Sequence, residues 1–151
     1  GQGRQSAVLA IQTRTNYSSS DYNGFRLNPG TEPAFSWSAP PQGQRTLYAA
    51  ALEQHSFKDF AAYQQGSGQD SHSVLLDYDI FVNAKMPDLA TPTRLYDPAE
   101  VDLRLQRGAG AIDAGLVLPN INDGFEGRAP DLGAYEYGQS PPHYGPRKPG
   151  N

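Results

Sequence analysis

Apolar residues in this chain arrive in short bursts, split by polar and glycine-rich stretches. Ser6 to Thr13 reads Ser-Ala-Val-Leu-Ala-Ile-Gln-Thr, an aliphatic burst that predicts a strand. Asp21-Tyr22-Asn23-Gly24-Phe25 sets Asn-Gly between aromatic residues, a strong turn signal, and Asn28-Pro29-Gly30 marks a second turn. Ala34 to Ser38 alternates apolar and polar positions as a half-buried strand does. The spacing of Phe57, Phe60, Ala61 and Tyr63 behind Ser56 predicts a helix capped by Ser56 and closed by Gly66, with Asp59 near its positive end. A second short helix is predicted over Thr46 to Glu53. Ser73 to Leu76, running into Asp77 to Val82, and the Leu103-Arg104-Leu105 stretch predict further strands. From Gly108 onward short strands of a few residues joined by tight turns are expected. After Gly138 the prolines, which lack an amide for a ladder, predict an extended or disordered tail.

Composition narrows the class. Apolar residues make up 37% of the 151 positions and charged residues 19%. Both lie below the soluble-domain norm of about 45–50% and about 25%, which predicts a turn-rich protein with a thin core. Length alone makes one domain the default. The net charge of −4, with no basic stripe, argues against nucleic acid as a partner. No run reaches the roughly 18 apolar residues of a membrane span. The first residues, Gly1-Gln2-Gly3-Arg4-Gln5, lack the apolar segment of a signal peptide and read as an interior sequence exposed by truncation or processing. With no cysteine, disulfides and thiolate chemistry are excluded within the chain.

Candidate chemistry is sparse. Asp70, His72, Asp77 and Asp79 form the densest polar cluster, in which His72 would be a base and Asp70 its orienting carboxylate. No nucleophile motif accompanies them, and a hydrogen-bonding role at a corner is the plainer use of His72. Trp37 and Tyr22, within the set Tyr17, Tyr22, Phe25, Phe35 and Trp37, are candidates for stacking on sugar rings; core packing competes for the same residues. Asp113 and Asp131 suit backbone amides in tight glycine turns, with Arg128 as a charge partner. Asn122-Asp123-Gly124 with Glu126 is half of a calcium loop without its 1-3-5 spacing or closing Glu. No metal site is expected and no cofactor is implied, calcium being the one cation these carboxylates suit. An echo links Asp21-Tyr22-x-x-Phe25 to Asp77-Tyr78-x-x-Phe81, as successive coils of a repeat would.

Three stretches resemble one family. Gly110-Ala111-Ile112-Asp113-Ala114-Gly115 through Ala129-Pro130-Asp131-Leu132-Gly133-Ala134-Tyr135-Glu136 resembles the C-terminal end of bacterial right-handed parallel β-helix proteins of the pectin-lyase-like fold. Ser20-Asp21-Tyr22-Asn23 is similar to a corner of late coils in such proteins. Gly68-Gln69-Asp70-Ser71-His72-Ser73, with Asp77 and Phe81, is similar to another, although Tyr78 stands where proline is usual. The resemblance, over roughly Asp21 to Glu136, implies a mainly β chain. Residues 1–138 would be end coils and cap of a parallel β-helix with one or two short helices, and residues 139–151 a Pro-rich tail. It implies an extracellular, cell-surface or periplasmic setting and a structural, capping role in a protein that binds or processes polysaccharide. The implied partners are the remainder of the β-helix protein, another chain or a second copy, joined through the N-terminal coil edge. Two alternatives stay open: a polysaccharide lyase or glycoside hydrolase in its own right, and a non-catalytic surface or adhesin module. The lyases' catalytic motifs match no position here.

Overall fold

The computed structural model describes residues 7–41, 52–88, 90–91 and 93–141. They form a small protein of strand and coil with one α-helix and three separate sheets, none closed into a barrel. The chain divides into two compact units, Gly1–Asp77 and Tyr78–Asn151.

In the first unit, β1 (Leu9–Gln12) lies parallel to β3 (Phe35–Ala39), with Leu9 opposite Phe35 and Ile11 opposite Trp37. β4 (Glu53–Phe57) runs antiparallel on the far side of β3, giving the order β1-β3-β4. β2 (Gly24–Phe25) lies parallel to β5 (Val74–Leu75) in a sheet of its own. The chain therefore visits one parallel pair, then the other, then each again. The Asn-Gly signal does not make a hairpin. Tyr22 takes the left-handed turn conformation (φ 56°), and Gly24 opens β2. The echo at Asp77 does not mark the next coil either. The segment around Asp21 meets Ser71 and His72, while Phe81 lies in the second unit.

The helix forms further along than its spacing suggests. α1 spans Phe60–Ser67, and Ser56 and Phe57 belong to β4. Asp59 is the N-cap, its carboxylate accepting the Ala62 N–H at 2.8 Å. Such a cap is worth about 1 kcal/mol. Gly68, at φ 68°, closes the helix by donating to the Gln64 carbonyl at 3.0 Å. Gly66 sits inside the helix for a different reason: a Cβ there would run into the Phe57 ring. The strand pairing of Phe57 with Phe35 explains the shift, because it draws Phe57 onto the sheet before the helix can start. Of the second predicted helix, residues 46–51 lie outside the described residues, and Glu53 opens β4.

The core is aromatic. Phe25, Ala34, Phe35, Trp37, Phe60 and Tyr63 are buried together, with Leu9, Ile11 and Phe57 packed on them. The Phe35 ring stacks on Tyr63 at 4.8 Å and meets the Phe25 ring edge-on at 5.5 Å. Each such pair adds about 0.5–1.5 kcal/mol beyond its buried area.

The second unit opens with a turn at Tyr78–Ile80 and pairs β6 (Phe81–Asn83) antiparallel with β7 (Asp102–Leu105). Beyond Gly108 the expected short strands do not form; the described residues to 141 make turns and bends. Side-chain carboxylates take the place of a ladder there. Gly115 donates to the Pro130 carbonyl at 2.7 Å, an approach so close that a Cβ on Gly115 would meet that oxygen. Of the predicted tail, residues 139–141 are described and 142–151 lie outside.

Candidate functional site

Two segments that carry the resemblance lie against each other. Ser20 to Asn23 runs beside Gln69 to Ser73, through Asp70 N–H to Ser20 O at 2.8 Å, Asn23 N–H to Ser73 Oγ at 2.8 Å and Val74 N–H to Asn23 O at 2.9 Å. Asp70 is the hub of this corner. It is 1% exposed and held in the left-handed conformation (φ 55°). Its carboxylate accepts Tyr63 OH at 2.7 Å, Asn23 Nδ2 at 2.8 Å, Ser73 Oγ at 2.7 Å and Ser20 Oγ at 3.2 Å. One side chain thus joins both passes of the chain to the helix. Burial, and then the hydrogen bond and charge of Asp70, push the Tyr63 hydroxyl's pKa well up.

His72 takes its carboxylate from elsewhere. Asp21, not Asp70, lies 2.7 Å from His72 Nδ1, and its other oxygen accepts the His72 N–H at 2.8 Å and the Tyr22 N–H at 3.0 Å. Burial works against charge on Asp21, but the bonds from His72 and Tyr22 outweigh it and hold the carboxyl below its usual range. The Tyr22 ring stacks on the imidazole at 4.9 Å. This fixes the tautomer with the proton on Nδ1 and turns Nε2 outward. The His72 side chain is 61% exposed, and Ser71 Oγ stands 3.2 Å from Nδ1, on the wrong nitrogen for an activated nucleophile. The arrangement serves best as a clamp between two passes of chain. Asp77 pairs with Arg26 at 2.7 Å, and Asp79 is exposed in the second unit. The four predicted residues therefore do not converge on one centre.

Trp37 lies in more promising surroundings. The inner face of the β3–β4 pair changes character along its length: Phe35 faces Phe57, then Trp37 faces His55, then Ala39 faces Glu53. Past the aromatic core this face becomes the wall of a groove of about 320 Å³, which Thr15, Ser18, Ser67 and Gln69 also line. Glu53 and His55 stand 3.6 Å apart on β4, and both are more than half exposed. Tyr22 does not line this groove.

No family model, curated protein or solved structure matches the chain.

The glycine-rich end uses its acids on the main chain. Asp113, at φ 56°, accepts the N–H groups of Arg128 at 2.7 Å and Ala129 at 3.3 Å, with the Arg128 guanidinium at 3.5 Å. Those two backbone donors, opposed by some desolvation and aided by the guanidinium, hold the Asp113 carboxyl below its ordinary range. Asp131 accepts Asp113 N–H at 2.8 Å and Tyr137 N–H at 2.6 Å. Among the described residues no three His, Asp or Glu side chains come together to hold a metal ion. Among them, too, no helix is long and apolar enough to cross a membrane.

Pattern reading missed Asp21, Glu53 and His55 as members of sites. Asp21 carried a signal in the Asp-Tyr-Asn corner beside it. Glu53 and His55 carried none, since their place depends on pairing with β3.

Proposed function

We propose that this chain forms closing coils of a parallel β-helix, a structural and capping part of a secreted, periplasmic or surface protein that handles polysaccharide. One observation carries the reading: β1, β2, β3 and β5 alternate between two parallel pairs, so that Leu9 meets Phe35 and Gly24 meets Val74. Coils that stack in this way lean on their neighbours and need a cap where the stack stops. The two edges of the β1-β3-β4 sheet differ in the way such a role requires. Antiparallel β4 occupies the far side of β3, while among the described residues no strand pairs with the outer edge of β1. Side chains along β1 are half-buried and exposed in alternation, so Leu9 and Ile11 offer a continuing apolar row to an added strand. Coils preceding this chain, another chain or a second copy would add there, and β4 would close the opposite side.

An open edge invites pairing, and an edge lysine blocks it. Analytical ultracentrifugation of the chain should show self-association at micromolar concentration. Ala10→Lys, at an exposed position of β1, should move it to monomer with an unchanged circular dichroism spectrum. A wild-type chain that sediments as a single monomer and melts cooperatively would sink the reading.

A further inference from the structure

We infer that the groove at the polar end of the β3–β4 face binds a neutral hexopyranose, one or two rings of an oligosaccharide. This rests on the polysaccharide part of the reading above and not on the stacking of coils.

The groove has two unlike sides. Trp37, Ala39 and Pro40 form an apolar side, which suits the C–H face of a pyranose in the way aromatic and apolar surfaces hold flat amphipathic groups. Glu53 and His55 face it from β4, with their polar atoms more than half open to solvent. Sugar hydroxyls need acceptors and donors at the ring's rim, and a carboxylate, an imidazole and the Gln69 amide supply both kinds. Gln69 is already oriented for this: its Oε1 accepts the Ser20 N–H at 2.9 Å, which leaves its NH₂ group to donate. Thr15 and Ser18 complete the wall with hydroxyls set 2.6 Å apart. A volume of about 320 Å³ sits at the small end of ligand sites and limits the occupant to one or two rings. The Glu53 carboxylate selects against uronic acids, since a like charge at the same rim costs affinity. His72 and Asp21 take no part, because they lie outside the groove.

Trp37 is the chain's only tryptophan, so its fluorescence reports on this site alone. The probes are cellotetraose, maltotetraose and chitotriose, with tri-galacturonate as the charged comparison. At least one neutral probe should shift Trp37 emission in a saturable way. Glu53→Ala should weaken that binding about ten-fold, the loss of one charge-assisted hydrogen bond, with the circular dichroism spectrum unchanged. Three results would overturn the inference: no emission change from any neutral probe up to about 10 mM, an affinity indifferent to Glu53→Ala, or tighter binding of tri-galacturonate. Sedimentation decides the stacking of coils separately. A chain that associates yet leaves Trp37 silent would refute the groove alone.

Discussion

The two units solve the same problem with different materials. The first buries a cluster of aromatic side chains around Phe35 and Tyr63, both 0% exposed. The second has only Leu105 and Ala111 as buried hydrophobic residues among those described. It leaves Leu95 at 95% and Ile121 at 79% exposed. In place of a core it has short-range bonds from carboxylates to main-chain amides: Asp88 to Ala90, Asp97 to Ala99, Asp113 to Arg128 and Asp131 to Tyr137. Hydrophobic burial is non-directional and scales with area. Carboxylate-to-amide bonds are directional, and they depend on the charge of the acid. The difference teaches that a glycine-rich segment can hold a defined path with little apolar material, provided that each turn has its own acceptor.

Three changes probe this contrast. The largest effect belongs to the first unit, at the one place where it too depends on an acid. Asp70→Ala removes the acceptor shared by Tyr63, Asn23, Ser73 and Ser20. Leaving buried donors without a partner should cost about 3 kcal/mol in urea denaturation followed by Trp37 fluorescence. A loss below about 1 kcal/mol would show that the aromatic cluster holds the corner unaided. Next comes Gly115→Ala, whose new methyl would meet the Pro130 oxygen. Overpacking of this kind should cost about 1–3 kcal/mol. It should broaden the amide signals of the turns from Ala111 to Leu132 in an NMR spectrum. Unchanged signals would mean that the close approach is not needed.

The smallest effect comes from acid. The Asp113 carboxyl is held low by Arg128 and Ala129, and that of Asp102 by the Arg104 guanidinium and N–H. A carboxylate whose folded pKa is depressed stabilises the fold at pH values above its unfolded pKa, about 3.9. That contribution fades as pH falls through the lower, folded value. The Arg128 and Ala129 amides should therefore lose hydrogen-exchange protection between neutral pH and pH of about 2. Asp113→Asn should reproduce part of that loss at neutral pH. Protection that survives in full would show that geometry, and not charge, holds these turns.

Much of the strand pattern was legible because it is local. The aliphatic burst at Leu9–Gln12 and the alternation at Phe35–Ala39 are strands in the structure. β4 was not legible: Glu-Gln-His-Ser-Phe shows no alternation, and only its pairing with β3 makes it a strand. The same pairing misled the reading of Phe57, whose spacing from Phe60 fits a helix as well as it fits a strand running into one. Asp70 was the obvious neighbour for His72 along the chain. Space chose Asp21, 51 residues away, because the corner at Tyr22 brings its carboxylate over the next pass. Carboxylates in glycine turns were readable for what they do, since Asp favours local amides wherever it stands.

The step from β2 to β5 has one further consequence. It carries β4 and α1 within it and is nearly twice as long as the step from β1 to β3, yet Asn23 still meets Ser73 at 2.8 Å. The rungs thus keep no record of how much chain runs between them. Loop closure grows costly only slowly with length. The excursion between Ala39 and Gly68 is therefore a place where such a scaffold can be lengthened, trimmed or fitted with new cargo while its ladder stays in step.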